Sequence, residues 1–151
     1  GGGQEGGLRS GTLPTHQIVG MGCAFELACA LRVEEQTRLL RLRTIFLDGI
    51  KAIPDITVNG SLDARIAGNL NVCFKGIENT DLLMALHELA VSTTSACASS
   101  LKAGSHVLQA LGLSKADAQS SVRFSFGRFT TEAEVDKAVA LIVDQVPKLR
   151  F

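Results

Sequence analysis

No stretch of this sequence approaches the ~20 consecutive apolar residues of a bilayer span, so a membrane-crossing helix is not expected. Neither sign of charge is in excess. Fifteen basic residues balance fifteen acidic ones, for a formal net charge of zero. A nucleic-acid surface needs a basic surplus to displace counterions, so nucleic acid is not an expected partner. The four cysteines, Cys23, Cys29, Cys73 and Cys97, include no CxxC pair and form no dense framework. That argues against structural zinc and against a disulfide scaffold, and for reduced thiols in a cytoplasmic setting. No charged-then-apolar targeting segment opens the chain. Its start, Gly1-Gly2-Gly3-Gln4-Glu5-Gly6-Gly7, reads as a loop cut from a longer protein.

What is present is one domain's worth of material: 151 residues, 46% of them apolar and 20% charged. A chain of this length buries roughly 68% of its unfolded surface, enough for a core. Three regions follow from the pattern: a glycine-rich loop over residues 1–13, a long helix over 14–53, and a small α/β region over 54–151. Pro14 suits a helix start, and Ile18, Met21, Phe25, Ala28 and Leu31 fall at helical spacing. The polar Glu34-Glu35-Gln36 interrupts the stripe, which resumes at Leu39, Leu42, Ile45, Phe46 and Ile50. The pattern therefore gives one bent helix or two in succession, stopped by Pro54.

Beyond Pro54 the strand candidates are Ile56-Thr57-Val58, ended by an Asn59-Gly60 turn, and Leu70-Asn71-Val72-Cys73-Phe74. In the second, Leu70, Val72 and Phe74 share one face and Asn71 and Cys73 the other. Helices are expected over 80–89, 105–111 and 115–119, and a strand over 121–126 with Arg123 and Ser125 opposite Val122, Phe124 and Phe126. Thr131 with Glu134 three residues on is a capping box. Val135, Ala138, Val139, Ile142 and Val146 then mark the apolar stripe of a last helix. The order after the long helix reads β-β-α-β-α-β-α, an α/β class with a small sheet and helices packed on it.

Few residues carry chemistry by pattern. Cys97 lies in Ser92-Thr93-Thr94-Ser95-Ala96-Cys97-Ala98-Ser99-Ser100, a stretch with no bulky apolar residue to bury a thiol. It is either an accessible reactive cysteine or an incidental loop residue. Cys23, Cys29 and Cys73 read as small, semi-buried hydrophobes. Arg123 sits in a strand whose opposite face is apolar. Its planar fork suits a carboxylate, and the alternative is an arginine snorkelling at a sheet edge. Arg128 reads as structural or solvated. Residues 1–12, with Arg9-Ser10-Gly11-Thr12 just before a helix, offer backbone N–H groups and a hydroxyl to a phosphate, with no nucleotide-type GK[ST]. His16, His87 and His106 have no metal-ligand spacing, so no metal is expected.

Together these segments resemble the C-terminal portion of a pyridoxal-phosphate-dependent cysteine desulfurase of the iron–sulfur-cluster assembly type. That group belongs to the class V aminotransferases of fold-type I. The resemblance runs through Gly1-Gly2-Gly3-Gln4-Glu5, Leu8-Arg9-Ser10-Gly11-Thr12, His16-Gln17-Ile18-Val19-Gly20 and Gly68-Asn69-Leu70-Asn71-Val72. It continues in Leu83-Met84-Ala85-Leu86, Ser95-Ala96-Cys97, Ser121-Val122-Arg123-Phe124-Ser125 and Gly127-Arg128-Phe129-Thr130-Thr131. It implies the small domain of such an enzyme, with the cysteine loop at 92–100. By the same resemblance Cys97 carries sulfur as a persulfide and Arg123 grips the substrate carboxylate. Thr12 reaches the cofactor phosphate of the neighbouring subunit of a homodimer. The implied cofactor is pyridoxal 5'-phosphate, the substrate L-cysteine, and the partner a sulfur-accepting or scaffold protein.

The sequence departs from the family pattern at Gly6, Ala67 and Thr94, where the family has arginine, proline and glycine. The family's cofactor-binding lysine matches no position here, so the isolated chain is expected to be inactive. The other reading of the sequence is a non-catalytic module for dimerisation, partner binding or passive sulfur carriage.

Overall fold

The computed structural model describes residues 1–93 and 105–150. These fall into two compact units, Gly1–Glu35 and Gln36–Phe151. One helix, α1 (Thr15–Ile50), contributes to both. It is a single continuous helix, which resolves the choice between one helix and two.

In the first unit a loop leads through a 3-10 turn at Gln4–Gly7 into α1. The backbone takes positive φ at Glu5, Gly6, Gly7 and Gly11. At Gly6 (φ 62°) glycine adopts a conformation that the family's arginine would adopt only under strain. Ser10 Oγ donates to the Gly2 carbonyl at 2.7 Å, and Gly11 N–H donates to Gln4 Oε1 at 3.2 Å, which closes the loop on itself. The Pro14 carbonyl accepts from Gln17 and Ile18 N–H and starts the helix.

The first apolar stripe of α1 does not bury as its spacing suggested. Ile18, Met21 and Phe25 are exposed, as are Val19, Leu27 and Val33, which lie off that stripe. This half of the helix is apolar on most of its circumference, and its own unit contains no second layer to cover it. Cys23 and Cys29 are exposed for the same reason, a correction to their reading as semi-buried.

The second unit carries the core. Leu42, Phe46 and Ile50, at i, i+4 and i+8 on the end of α1, are buried to 1% exposure or less. They meet the apolar face of a three-stranded antiparallel sheet in the order β1-β2-β3, formed by β1 (Ile56–Val58), β2 (Asn69–Phe74) and β3 (Ser121–Ser125). Leu70, Val72, Phe74, Val122 and Phe124 supply that face, as the two-residue period predicted. The Phe46 ring lies 4.8 Å from Phe124 and 5.5 Å from Phe126, distances typical of tilted and edge-on aromatic packing. Helix α5 (Glu132–Gln145) adds Val135 and Ile142 to the same layer.

Three shorter helices, α2 (Asn79–Ala85), α3 (His106–Ala110) and α4 (Lys115–Gln119), and a closing 3-10 helix at Val146–Arg150 complete the unit. The first stops at Ala85, short of the expected Leu89. The expected sheet had one strand too many. Between α2 and α3 the described residues form only an isolated bridge, Ser92 with Arg123. The capping box is formed as read: Thr131 Oγ1 accepts from Glu134 N–H at 3.2 Å, and Glu134 Oε2 accepts from Thr131 N–H at 2.8 Å.

Candidate functional site

A strand that buries every second residue must present the others on its opposite face. On β2 those others are Asn69, Asn71 and Cys73, and on β3 they are Ser121, Arg123 and Ser125. The antiparallel register sets Asn71 opposite Arg123 and Cys73 opposite Ser121. The polar face of the sheet is therefore built by the same alternation that builds the core.

Arg123 is held by its backbone from both sides. It pairs with Asn71 across the ladder, and it exchanges N–H···O bonds with Ser92 at 2.6 and 3.2 Å. Its half-buried side chain lines a cavity of about 300 Å³ together with Asn59, Arg65, Asn69 and Asn71. Thr93 and Ser105, the described residues that flank 94–104, line it as well. Guanidinium and amide donors on one wall suit a carboxylate, which accepts bidentate bonds from an arginine fork.

A buried hydrogen-bond chain fixes this wall. Asn59, 6% exposed, donates through Nδ2 to Asn71 Oδ1 at 2.6 Å and to Ser121 Oγ at 2.9 Å. Ser121 in turn donates its proton to the Asp117 carbonyl at 2.6 Å. Cys73 lies beside this chain, fully buried, and burial pushes its thiol pKa up. A thiol kept neutral in this way is a poor nucleophile. Arg65 donates to the carbonyls of Asn59 and Ser61 and ties the 59–65 loop to the cavity edge.

The other candidates divide as follows. Thr12 is exposed at the end of the loop in the first unit. Cys97 and Thr94 lie outside the described residues. Arg128 is exposed, and its carbonyl, with those of Gly127 and Thr130, accepts from Arg38, so the turn after β3 is pinned to α1. His16, His87 and His106 are exposed. Among the described residues no three His, Cys, Asp or Glu side chains are grouped to hold a metal ion, and no helix is long and apolar enough to cross a membrane. Sequence reasoning missed Asn59, Asn71 and Arg65 as parts of the wall. Asn71 was readable from its place on the Arg123 face. Asn59 registered only as a turn residue, and Arg65 gave no signal.

Comparison with known proteins places this geometry. The aminotransferase class-V family model matches residues 3–138, most of the chain. The chain belongs to the class-V aminotransferase family. Among its relatives, "Cysteine desulfurase IscS" of Tolumonas auensis is 55% identical over 150 residues, and that of Vibrio cholerae serotype O1 is 57% identical over the same length. Each match covers 99% of this chain and 37% of the relative, so the chain spans little more than a third of their length. A solved NifS-like protein matches with a TM-score of 0.84 at 30% identity, over 99% of this chain and 38% of that one. DndA from Streptomyces lividans matches with a TM-score of 0.64 at 31% identity, over 83% of this chain and 35% of that one. The fold is thus that of a segment of NifS-like enzymes.

Proposed function

We propose that this chain is the C-terminal segment of a homodimeric, cytoplasmic cysteine desulfurase that converts L-cysteine to L-alanine and passes sulfur through Cys97 to an acceptor protein. One observation carries the reading. Thr93 and Ser105, which bracket the Cys97 segment in sequence, both line the cavity that contains Arg123. Cys97 follows Thr93 by four residues, a span of about 14 Å at most, which supports a role for it beside Arg123.

Pyridoxal 5'-phosphate is the cofactor of this reading, and Thr12 is the residue of the first unit that would donate to its phosphate. The Thr12 hydroxyl is exposed at the end of a loop closed by its own hydrogen bonds, next to the start of α1. When bound, the cofactor supplies an electron sink that weakens the carbon–sulfur bond of cysteine. The residues of this chain do the rest. Arg123 binds and orients the substrate carboxylate, with Asn71 beside it. The Cys97 thiolate takes the sulfur as a persulfide and delivers it to the acceptor. A short tether of small residues suits a group that serves two sites in turn.

The test uses the full-length protein. Cys97→Ala abolishes sulfur transfer and leaves cofactor binding intact. Arg123→Ala loses a charge-assisted pair of ~1.5–3 kcal/mol, or roughly 10- to 150-fold in kcat/KM. A Cys97→Ala protein that releases alanine and persulfide sulfur at the wild-type rate refutes the proposal. The isolated chain of 151 residues, with no family lysine to attach the cofactor, releases neither alanine nor sulfide from cysteine.

A further inference from the structure

Asn71 and Arg123 stand directly opposite one another in the β2–β3 ladder, on the face turned away from the core. Residues so placed on one face of an antiparallel pair hold their Cβ atoms ~4.5–5.5 Å apart, close enough for both side chains to meet one small group. Both line the cavity of about 300 Å³. A carboxylate offers two acceptor oxygens in one plane, one for each strand.

The Asn71 amide has a fixed sense. Ser121, fully buried, directs its one proton to the Asp117 carbonyl at 2.6 Å, so its oxygen accepts from Asn59 Nδ2 at 2.9 Å. The same Nδ2 lies 2.6 Å from the Asn71 amide, and a donor there requires Oδ1 to face it. An amide whose oxygen is bound on one side holds its nitrogen on the other. Asn71 Nδ2 has no hydrogen-bond partner among the described residues, and it is not enclosed: the buried unpartnered side-chain nitrogens there are those of Arg43, Arg65 and Arg150. It therefore opens on the cavity that Asn71 lines. In the opposite sense Oδ1 would face an incoming carboxylate and repel it. Asn59, 6% exposed, decides between the two.

We propose that Asn71 is a second carboxylate-binding residue, donating from Nδ2 to the substrate carboxylate that Arg123 grips from the facing strand, and that Asn59 is the positioning residue that keeps this donor turned into the cavity. The inference rests on the reading of Arg123 as the carboxylate-binding residue and gives it a neutral partner.

The experiment is a calorimetric titration of the full-length protein with S-methyl-L-cysteine, run beside alanine release from L-cysteine. Asn71→Ala removes one donor to a charged group and weakens binding about tenfold or more. Asn71→Asp keeps an oxygen for Asn59 to bond, and so keeps the wall, but turns a negative charge towards the ligand. It weakens binding more than Asn71→Ala does, by about a hundredfold or more. A merely structural role gives the reverse ranking, because aspartate retains the bond that alanine loses, and that ranking overturns the inference. Asn59→Ala weakens binding ~2- to 10-fold, and adds nothing further in an Asn71→Ala background, since it acts through that amide. Additive losses overturn the positioning role. If both Asn71 variants bind like wild type while Arg123→Gln does not bind, the inference falls and the role of Arg123 stands. Binding that depends on Asn71 in a protein that releases no alanine supports the inference and refutes the desulfurase reading. A wild-type protein that binds no S-methyl-L-cysteine overturns both.

Discussion

Asn59 offers a test of the hydrogen-bond logic behind the Arg123 cavity. Its Nδ2 donates two bonds, to Asn71 Oδ1 at 2.6 Å and Ser121 Oγ at 2.9 Å. The direction of both bonds is forced. Ser121 has one proton, and it goes to the Asp117 carbonyl at 2.6 Å, so its oxygen must accept from Asn59. Asn59→Ala removes two net bonds of ~0.5–1.5 kcal/mol each, for a loss of about 1–3 kcal/mol. Asn59→Asp keeps the shape and destabilises more. It places a carboxylate oxygen against Asn71 Oδ1 and Ser121 Oγ, two acceptors where donors are required, and their repulsion adds ~1–3 kcal/mol to the bonds lost. The burial and the facing acceptors raise the pKa of that carboxyl in the folded state. The aspartate variant is therefore most stable at low pH and loses stability as pH rises towards the folded value. Urea unfolding at pH 5 and pH 8 measures both the ranking and its pH dependence. If Asn59→Asp proves as stable as Asn59→Ala at pH 8, the donor assignment is wrong.

Gly68→Ala drives a methyl into hard contact with the Phe126 carbonyl oxygen, across a backbone pair whose N–H···O bond is 2.8 Å. Backbone cannot yield as a flexible side chain does, so ~1–3 kcal/mol is lost and thermal unfolding falls by ~2–10 °C. An unchanged Tm contradicts the close approach. The exposed Glu134 carboxylate accepts from Thr131 and is held below the usual carboxylate range chiefly by that backbone bond. Its contribution is present above the ordinary value near ~4.3 and is lost as pH falls through the lower folded value. In acid titrations followed by circular dichroism, Glu134→Gln shows a smaller loss of helix stability than wild type. Cys73 is buried with its pKa raised, so the folded state favours the neutral thiol; that stabilisation is full below the ordinary thiol pKa and fades above it. Iodoacetamide at pH 8 followed by mass spectrometry finds Cys23 and Cys29 alkylated and Cys73 modified only after unfolding. Early modification of Cys73 contradicts its burial.

The elements whose signal is local were legible before any coordinates. The alternation of Leu70, Val72 and Phe74 with Asn71 and Cys73 gave both strand and faces, because a pleated chain exposes every second side chain to the same side. The Thr131/Glu134 spacing gave the start of α5 for an equally local reason: the cap closes within one turn. The first half of α1 misled. Helical spacing of Ile18, Met21 and Phe25 specifies a stripe, and whether anything covers that stripe is not written in the spacing.

The sequence by itself determined the family, the polar face on which Arg123 sits, and the segment that carries Cys97, since periodicity and short motifs act over a few residues. Only the tertiary structure decided that Asn59 and Ser121, 62 positions apart, share one hydrogen bond, and that Arg43 and Arg65 both bond carbonyls of the 59–65 loop. Those relations depend on loop closure and strand pairing between distant segments. Side-chain donors find their partners, or are left without them, only once the chain has folded back on itself.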